Sequence, residues 1–208
     1  MKILIADDHS LVRRGLRETL LDEFPSSVVE EAEDAEGIFI KMSSQTWDLV
    51  ICDLSMPGRS GLDVVHDLRM KFPKLPVLVV STHAEEHYAV RSLKAGASGF
   101  LSKTAPPAEL ITAINRLLQG RKYITPAIAE RLATLMLDNS GQPPHELLSD
   151  REFDVSKQIA SGKQVSEIAA VLSLSINTIS TYRNRILDKM NLRTNAELTK
   201  YMIENHLV

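Results

Sequence analysis

The sequence predicts an α/β unit built on a parallel sheet, followed by a small all-helical unit. Three observations carry this expectation. Short apolar runs at residues 2–6, 28–32, 49–53, 77–81 and 99–102 are spaced along the first 120 residues. Stretches of helical period separate them, at 10–23, 35–44, 62–71, 85–95 and 107–119. After residue 146 no strand pattern returns.

Three of the runs are nearly continuous in Ile, Leu and Val, which suits strands buried on both faces. Strict alternation of strand and helix signals argues for parallel strands with helices on both sides of the sheet. Helix punctuation agrees. Ser10 is expected to cap the first helix, Pro107 stands in the first turn of the fifth, and Gly96 and Gly120 follow helix ends. Residues 126–137 read as one more amphipathic helix. The run Asp138-Asn139-Ser140-Gly141-Gln142-Pro143-Pro144-His145 is polar and rich in helix breakers, and reads as linker. Residues 148–208 read as four short helices. Ser149 with Glu152 makes a capping box, Thr194 with Glu197 suggests another, and Ser175 caps a third helix. The expected division is 1–120, a linker of 121–146 containing the extra helix, and 147–208.

The net charge of −3 does not by itself select nucleic acid as a partner. The first 120 residues carry 13 basic and 17 acidic side chains and the rest 11 and 10, an asymmetry too slight to decide. The single cysteine, Cys52, lies in an apolar run and reads as a small buried hydrophobe. No segment approaches the ~18 apolar residues of a membrane span. Met1-Lys2-Ile3-Leu4 enters a strand directly, without a signal-peptide layout, so a cytoplasmic location and no membrane partner are expected.

The chemistry concentrates at strand ends. Asp7 and Asp8 close one apolar run and Asp53 closes another. The carboxyl ends of parallel strands open into the crevice where such sheets bind ligands. Three carboxylates there repel one another unless a hard divalent cation such as Mg2+ bridges them. Asp53 is then a nucleophile toward phosphorus, with Asp8 holding the metal directly and Asp7 through water. Lys103 supplies fixed positive charge and Ser81 a hydroxyl. Taken singly, Asp8 serves equally as a helix cap, and Ser81 and Lys103 read more simply as a turn residue and a solvated charge. Their joint order after successive strands favours the phosphate site.

In the second half, 165–172 and 176–190 read as two helices joined by Ser173-Leu174-Ser175. Ile168, Ala169, Leu172, Ile176, Ile179, Ile186, Leu187 and Met190 are expected to form their core. The other face of the later helix carries Asn177, Thr178, Ser180, Thr181, Arg183, Asn184, Arg185 and Lys189. Short polar groups there suit base edges and basic groups suit phosphates, although pattern alone fits a solvated face equally well.

Asp7-Asp8-His9, Asp53-Leu54-Ser55-Met56-Pro57-Gly58, Ser81-Thr82 and Phe100-Leu101-Ser102-Lys103 resemble the receiver domain of bacterial response regulators over residues 1–120. Leu148-Ser149-Asp150-Arg151-Glu152, Val165-Ser166-Glu167-Ile168-Ala169 and Ser175-Ile176-Asn177-Thr178-Ile179-Ser180-Thr181-Tyr182 resemble the LuxR-type helix-turn-helix. The whole chain thus resembles a NarL/FixJ-type regulator. The resemblance implies a flavodoxin-like (βα)5 sheet in the order 2-1-3-4-5 and a four-helix DNA-binding domain. It implies Asp53 as acceptor of phosphate from a sensor kinase histidine, with Mg2+ on Asp7, Asp8, Asp53 and the Ser55 carbonyl. It makes Phe100 an aromatic switch that turns inward when Ser81 moves to the phosphate. It implies Ser180, Thr181 and Asn184 as base readers of double-stranded DNA. Thr178, Arg183, Arg185 and Lys189 become backbone contacts, and residues 195–204 a dimer surface in an active homodimer. The implied protein is a transcription regulator, not an enzyme beyond its own phosphoryl transfer and slow dephosphorylation.

Some residues depart from the commonest pattern. Thr82 replaces a frequent Ala, and Thr104 follows Lys103 where proline is common. Ser156 stands at a usually aliphatic position, where its hydroxyl is expected to bond a carbonyl one turn back. Asn177 replaces a frequent lysine, removing one phosphate contact. His83 is placed near the path of an attacking water, where it either tunes phosphate lifetime or is a plain loop histidine. A metal-dependent phosphatase using Asp53 is the competing enzyme reading, but no acidic residue stands close behind Asp53 to protonate a leaving group. An adaptor that has lost DNA binding is the third, and Arg183, Arg185 and Lys189 argue against it.

Overall fold

The computed structural model describes residues 1–56, 59–82, 85–137 and 143–208. The strands β1 (Lys2–Ala6), β2 (Val28–Ala32), β3 (Leu49–Cys52), β4 (Val77–Ser81) and β5 (Gly99–Ser102) alternate with helices. Those helices are α1 (Ser10–Glu23), α2 (Ala35–Ser44), α3 (Gly61–Lys71), α4 (Glu85–Ala95) and α5 (Pro107–Leu118). All pairings are parallel and the strand order is β2-β1-β3-β4-β5, as the resemblance implied. The sheet's order reverses between β1 and β3, which is where a ligand crevice opens.

Burial explains the continuous apolar runs. Ile3, Ile5, Leu49, Ile51, Leu78, Val80 and Leu101 form one core with Leu20 of α1 and Leu110, Ala113, Ile114 and Leu117 of α5. The alternate residues Leu4, Val50, Val79 and Phe100 are equally buried, and by the two-residue period of a strand they serve the opposite face. Cys52 is buried there as expected, and burial pushes its thiol far above the ordinary range.

Local punctuation differs at three places. His9, not Ser10, is the N-cap of α1, because helical geometry already begins at Ser10. Asp53 lies one residue beyond β3 instead of closing it. Gly61, not Leu62, opens α3; a Cβ there would fall 2.4 Å from the Leu54 Cα, so only glycine lets the helix approach the loop after Asp53. Gly96 ends α4 at φ +110°, a conformation that suits glycine.

After α5, Tyr123 makes an isolated parallel bridge to Gly99, and α6 (Pro126–Leu137) follows, packing on α4. Two units result, Met1–Leu137 and Asp138–Val208, so the extra helix groups with the first. The predicted linker residues 138–142 lie outside the described residues. His145, read as linker, instead sits buried in a short 3-10 turn, Pro144–Leu147, with its Nδ1 2.9 Å from the Tyr201 hydroxyl.

The second unit is α7 (Asp150–Ala160), α8 (Val165–Val171), α9 (Ile176–Lys189) and α10 (Asn195–Glu204). Its core joins Phe153, Val155, Ile159, Ile168, Ile179, Ile186, Leu198 and Met202. Ile176 is 55% exposed, against expectation, because it occupies the first position of α9, before the helix turns its apolar face inward. The Ser149–Glu152 capping box and the Ser175 cap are present. Thr194 accepts from the Glu197 N–H, but the Glu197 carboxylate reaches the Arg193 N–H instead of closing the box. Ser156 is fully buried and donates to the Phe153 carbonyl at 2.7 Å, as its position required.

Candidate functional site

Strand register assembles the acidic crevice. Ala6 pairs with Cys52, so the residues that follow, Asp7 and Asp53, emerge side by side. The Asp53 N–H donates to the Ala6 carbonyl at 2.8 Å. Ser81 pairs with Ser102, and the Lys103 N–H donates to the Ser81 carbonyl at 2.9 Å, which aims the lysine at the same crevice. The Lys103 ammonium then lies 2.6 Å from Asp7 and 2.8 Å from Asp53. Positions far apart in sequence thus share one polar pocket in which Asp7 and Asp53 are almost wholly buried.

Burial raises the Asp53 carboxyl above its ordinary range, and Asp7 adds to the rise. Lys103 and the Ser55 N–H pull it down, but not enough to cancel desolvation. Burial alone would lower the Lys103 ammonium; its bonds to Asp53 and Asp7 outweigh that and hold it above the usual lysine value. Three carboxylates, Asp7, Asp8 and Asp53, thus meet one lysine at the crevice.

Asp7, Asp8, His9 and Asp53 each offer a ligand atom, all within 4.8 Å of one another. Three of those donors are hard carboxylate oxygens, the chemistry that Mg2+ takes. The residues fit such an ion, which would share Asp7 and Asp53 with Lys103. Ser81 is fully buried at the end of β4, and Phe100 is fully buried on β5 beside Val79. Ser55 lies in the loop after β3. Pro57, Gly58 and His83 lie outside the described residues.

Sequence reasoning missed Arg13. It is buried on α1, and its guanidinium donates to the Asp7 carbonyl at 2.6 Å, to Glu31 at 3.1 Å and to Glu33 at 2.5 Å. Helical spacing sets Arg13 three residues before Leu16 and seven before Leu20, on the inward face of α1, and that spacing is the signal that could have found it.

A second candidate surface is the outer face of α9. Asn177, Thr181, Asn184 and Arg185 are exposed, and Thr178, Ser180 and Arg183 half-buried. The Ser175 hydroxyl accepts from the Thr178 N–H at 3.1 Å and starts the helix. Arg183 donates to Asn195 at 2.7 Å. Lys189 is engaged differently from the expectation: its ammonium lies 2.6 Å from the buried Glu152 carboxylate. Burial tends to raise Glu152, but Lys189 and Ser149 outweigh it and hold the carboxyl below the usual range. Lys189 thus locks the end of α9 to the start of α7.

Among the described residues no helix is long and apolar enough to cross a membrane. The family model described as "Response regulator receiver domain" matches residues 3–115, and "Bacterial regulatory proteins, luxR family" matches residues 146–202. The oxygen regulatory protein NreC of Staphylococcus carnosus is 34% identical, the alignment covering 100% of this chain and 99% of NreC. Response regulator GacA of Pseudomonas protegens is also 34% identical, with 100% and 98% covered. Among solved structures, RcsB of Salmonella enterica serovar Typhimurium bound to promoter rprA with the phosphomimetic BeF3- matches with a TM-score of 0.59. It is 27% identical, with 97% of this chain and 98% of that chain covered. A structure of two RcsB dimers on two parallel DNAs matches at 0.60, 27% identical, with 97% of both chains covered. The chain therefore belongs to the two-component response regulators of the NarL/FixJ type, which join a receiver domain to a LuxR-type DNA-binding domain.

Proposed function

We propose that Asp53 is the phosphoacceptor of a receiver spanning residues 1–120, and that its phosphorylation controls DNA binding by residues 147–208 through the connecting segment 121–146. The observation that carries this reading is the Lys103 ammonium held against both Asp7 and Asp53 in a buried crevice. An Asp53 oxygen attacks the phosphorus of a phosphohistidine on a sensor kinase. The new O–P bond forms as the P–N bond breaks, and its electron pair returns to the imidazole. Asp7, Asp8, Asp53 and the Ser55 carbonyl hold Mg2+, which when bound neutralises phosphoryl charge. Lys103 holds a phosphoryl oxygen by charge and Ser81 another by its hydroxyl.

The phosphoryl group adds about −1.5 to −2 charge and new acceptors. Ser81 and Lys103 satisfy these in one arrangement of their loops, so phosphate favours that arrangement by its differential contacts. Phe100, on β5 and already turned fully inward in this structure, is the aromatic switch whose packing responds to that arrangement.

On DNA, Ser180, Thr181 and Asn184 read bases, and Thr178, Arg183 and Arg185 hold the backbone. Lys189, exposed beside Glu152, adds a further backbone contact at the end of α9. RcsB binds DNA as dimers, and the 57% exposed Ile203 on α10 offers this chain an apolar contact for the same arrangement. The acting form is a homodimer in the cytoplasm, regulating transcription and performing only its own phosphoryl chemistry. The test is incubation with labelled acetyl phosphate and Mg2+. Wild type should take up one phosphoryl group and bind DNA more tightly; Asp53→Asn should do neither. Equal labelling of both chains would reassign the acceptor.

A further inference from the structure

The crevice described above rests on a second layer of residues that the proposed reaction does not use. Arg13 is 5% exposed, and a guanidinium so far from water must have its charge and donors satisfied. Its partners are distributed unevenly. Glu31, on β2, and Glu33, just beyond it, take one donor each. These two carboxylates leave the cluster with no positive surplus. The remaining contact, at 2.6 Å, goes to the carbonyl of Asp7.

That carbonyl belongs to the peptide joining Asp7 to Asp8. The Asp7 N–H already donates to the Ala32 carbonyl at 3.2 Å, and the Asp7 carboxylate accepts from the His9 N–H at 2.8 Å. With Arg13 on its carbonyl, Asp7 is held on every polar side. Asp8 is exposed, and among the described residues its carboxylate meets His9 at 2.7 Å; the orientation of the Asp7–Asp8 peptide sets the direction in which the Asp8 side chain leaves the backbone. We infer that Arg13 is a positioning residue for divalent-cation binding: it fixes the Asp7–Asp8 peptide so that the Asp8 carboxylate faces Asp53. The inference rests on the metal reading of the crevice and deepens it.

The prediction has a sign that separates it from simple electrostatics. Arg13 is a cation beside a cation site, so Coulomb's law alone says that deleting its charge should tighten Mg2+ binding. Positioning says the reverse. Loss of an outer hydrogen-bond partner to a ligand weakens metal affinity about 10–100-fold.

The experiment is Mg2+ titration of the full-length chain by calorimetry, comparing wild type, Arg13→Met, Arg13→Lys and Asp8→Asn. Thermal unfolding in EDTA identifies temperatures at which each variant is folded. Arg13→Met is expected to bind Mg2+ at least tenfold more weakly than wild type while folded. Arg13→Lys, which keeps the charge but cannot reach three acceptors with a planar fork, should fall between. If Arg13→Met does not fold, Arg13→Lys decides, and a threefold or greater loss supports the inference. Affinity that is unchanged or improved in the folded variant overturns the role of Arg13. A wild type that binds no Mg2+, or an Asp8→Asn chain that binds as well as wild type, overturns the metal reading itself.

Discussion

The Lys103 ammonium sits 2.8 Å from the Asp53 carboxylate across 50 residues of sequence, and the same nitrogen reaches Asp7 at 2.6 Å. One cation is thus shared by two buried acids, in the place where a divalent ion would also have to bind. Lys103 and the metal compete for charge but cooperate on a phosphoryl group. Lys103→Met should therefore bind Mg2+ several-fold more tightly, because a repelling charge is gone. The same variant should still accept phosphate from acetyl phosphate, yet its DNA affinity should no longer rise with phosphorylation. Calorimetry and a DNA-binding titration check both halves.

Asp53 costs the metal-free fold stability. Burial raises its folded-state carboxyl above the unfolded one, so the fold favours the protonated acid. Its favourable contribution is present below the ordinary aspartate range, about 3.9, and is lost as pH rises through the raised value. At neutral pH the ionised group is a burden. Asp53→Asn is expected to melt higher than wild type in EDTA at pH 7, with the gap closing as pH falls into the carboxylate range. Added Mg2+ should raise the wild-type melting temperature more than that of the variant.

Glu152 behaves oppositely. Its folded carboxyl lies below the unfolded value, so its stabilisation is complete above the ordinary range near 4.5 and is lost as pH falls through the lowered value. Glu152→Gln should cost about 1.5–3 kcal/mol at pH 7, the size of a hydrogen bond to a charged group. The deficit should persist to about pH 5 and shrink below it. Urea unfolding followed across pH measures this. Because Lys189 fixes the end of α9, the variant should also bind DNA less well before it unfolds.

Arg185 and Asn184 are both exposed on α9 but should fail differently. Arg185→Ala should weaken binding to all sequences alike and reduce the salt slope by about one. Asn184→Ala should change sequence preference, costing about 1–3 kcal/mol at its preferred base. Binding titrations over a randomised site at two salt concentrations separate the two outcomes.

The sheet was legible because burial on both faces forces continuous Ile, Leu and Val, and no other element gives that pattern at that spacing. The acidic pair and Lys103 were legible because strand ends have a fixed place in such a fold. Arg13 shares the inward face of α1 with Leu16 and Leu20, but its charge argues for solvent until Glu31 and Glu33 are seen beside it. His145 was hidden for a similar reason: its breaker-rich surroundings read as linker, while Tyr201, its partner, lies far along the chain. The basic-face pattern of Lys189 is legible, but its pairing with Glu152 is not, because Glu152 lies 37 residues earlier in the chain.

Locating the phosphoryl group on the chain tests the central claim most directly. Wild type is phosphorylated with acetyl phosphate and Mg2+, reduced with borohydride so that an acyl phosphate becomes a primary alcohol, and mapped by peptide mass spectrometry. Reduction confined to position 53 is the predicted result. An unreduced Asp53, with phosphate recovered on a serine, threonine or histidine elsewhere, would contradict it.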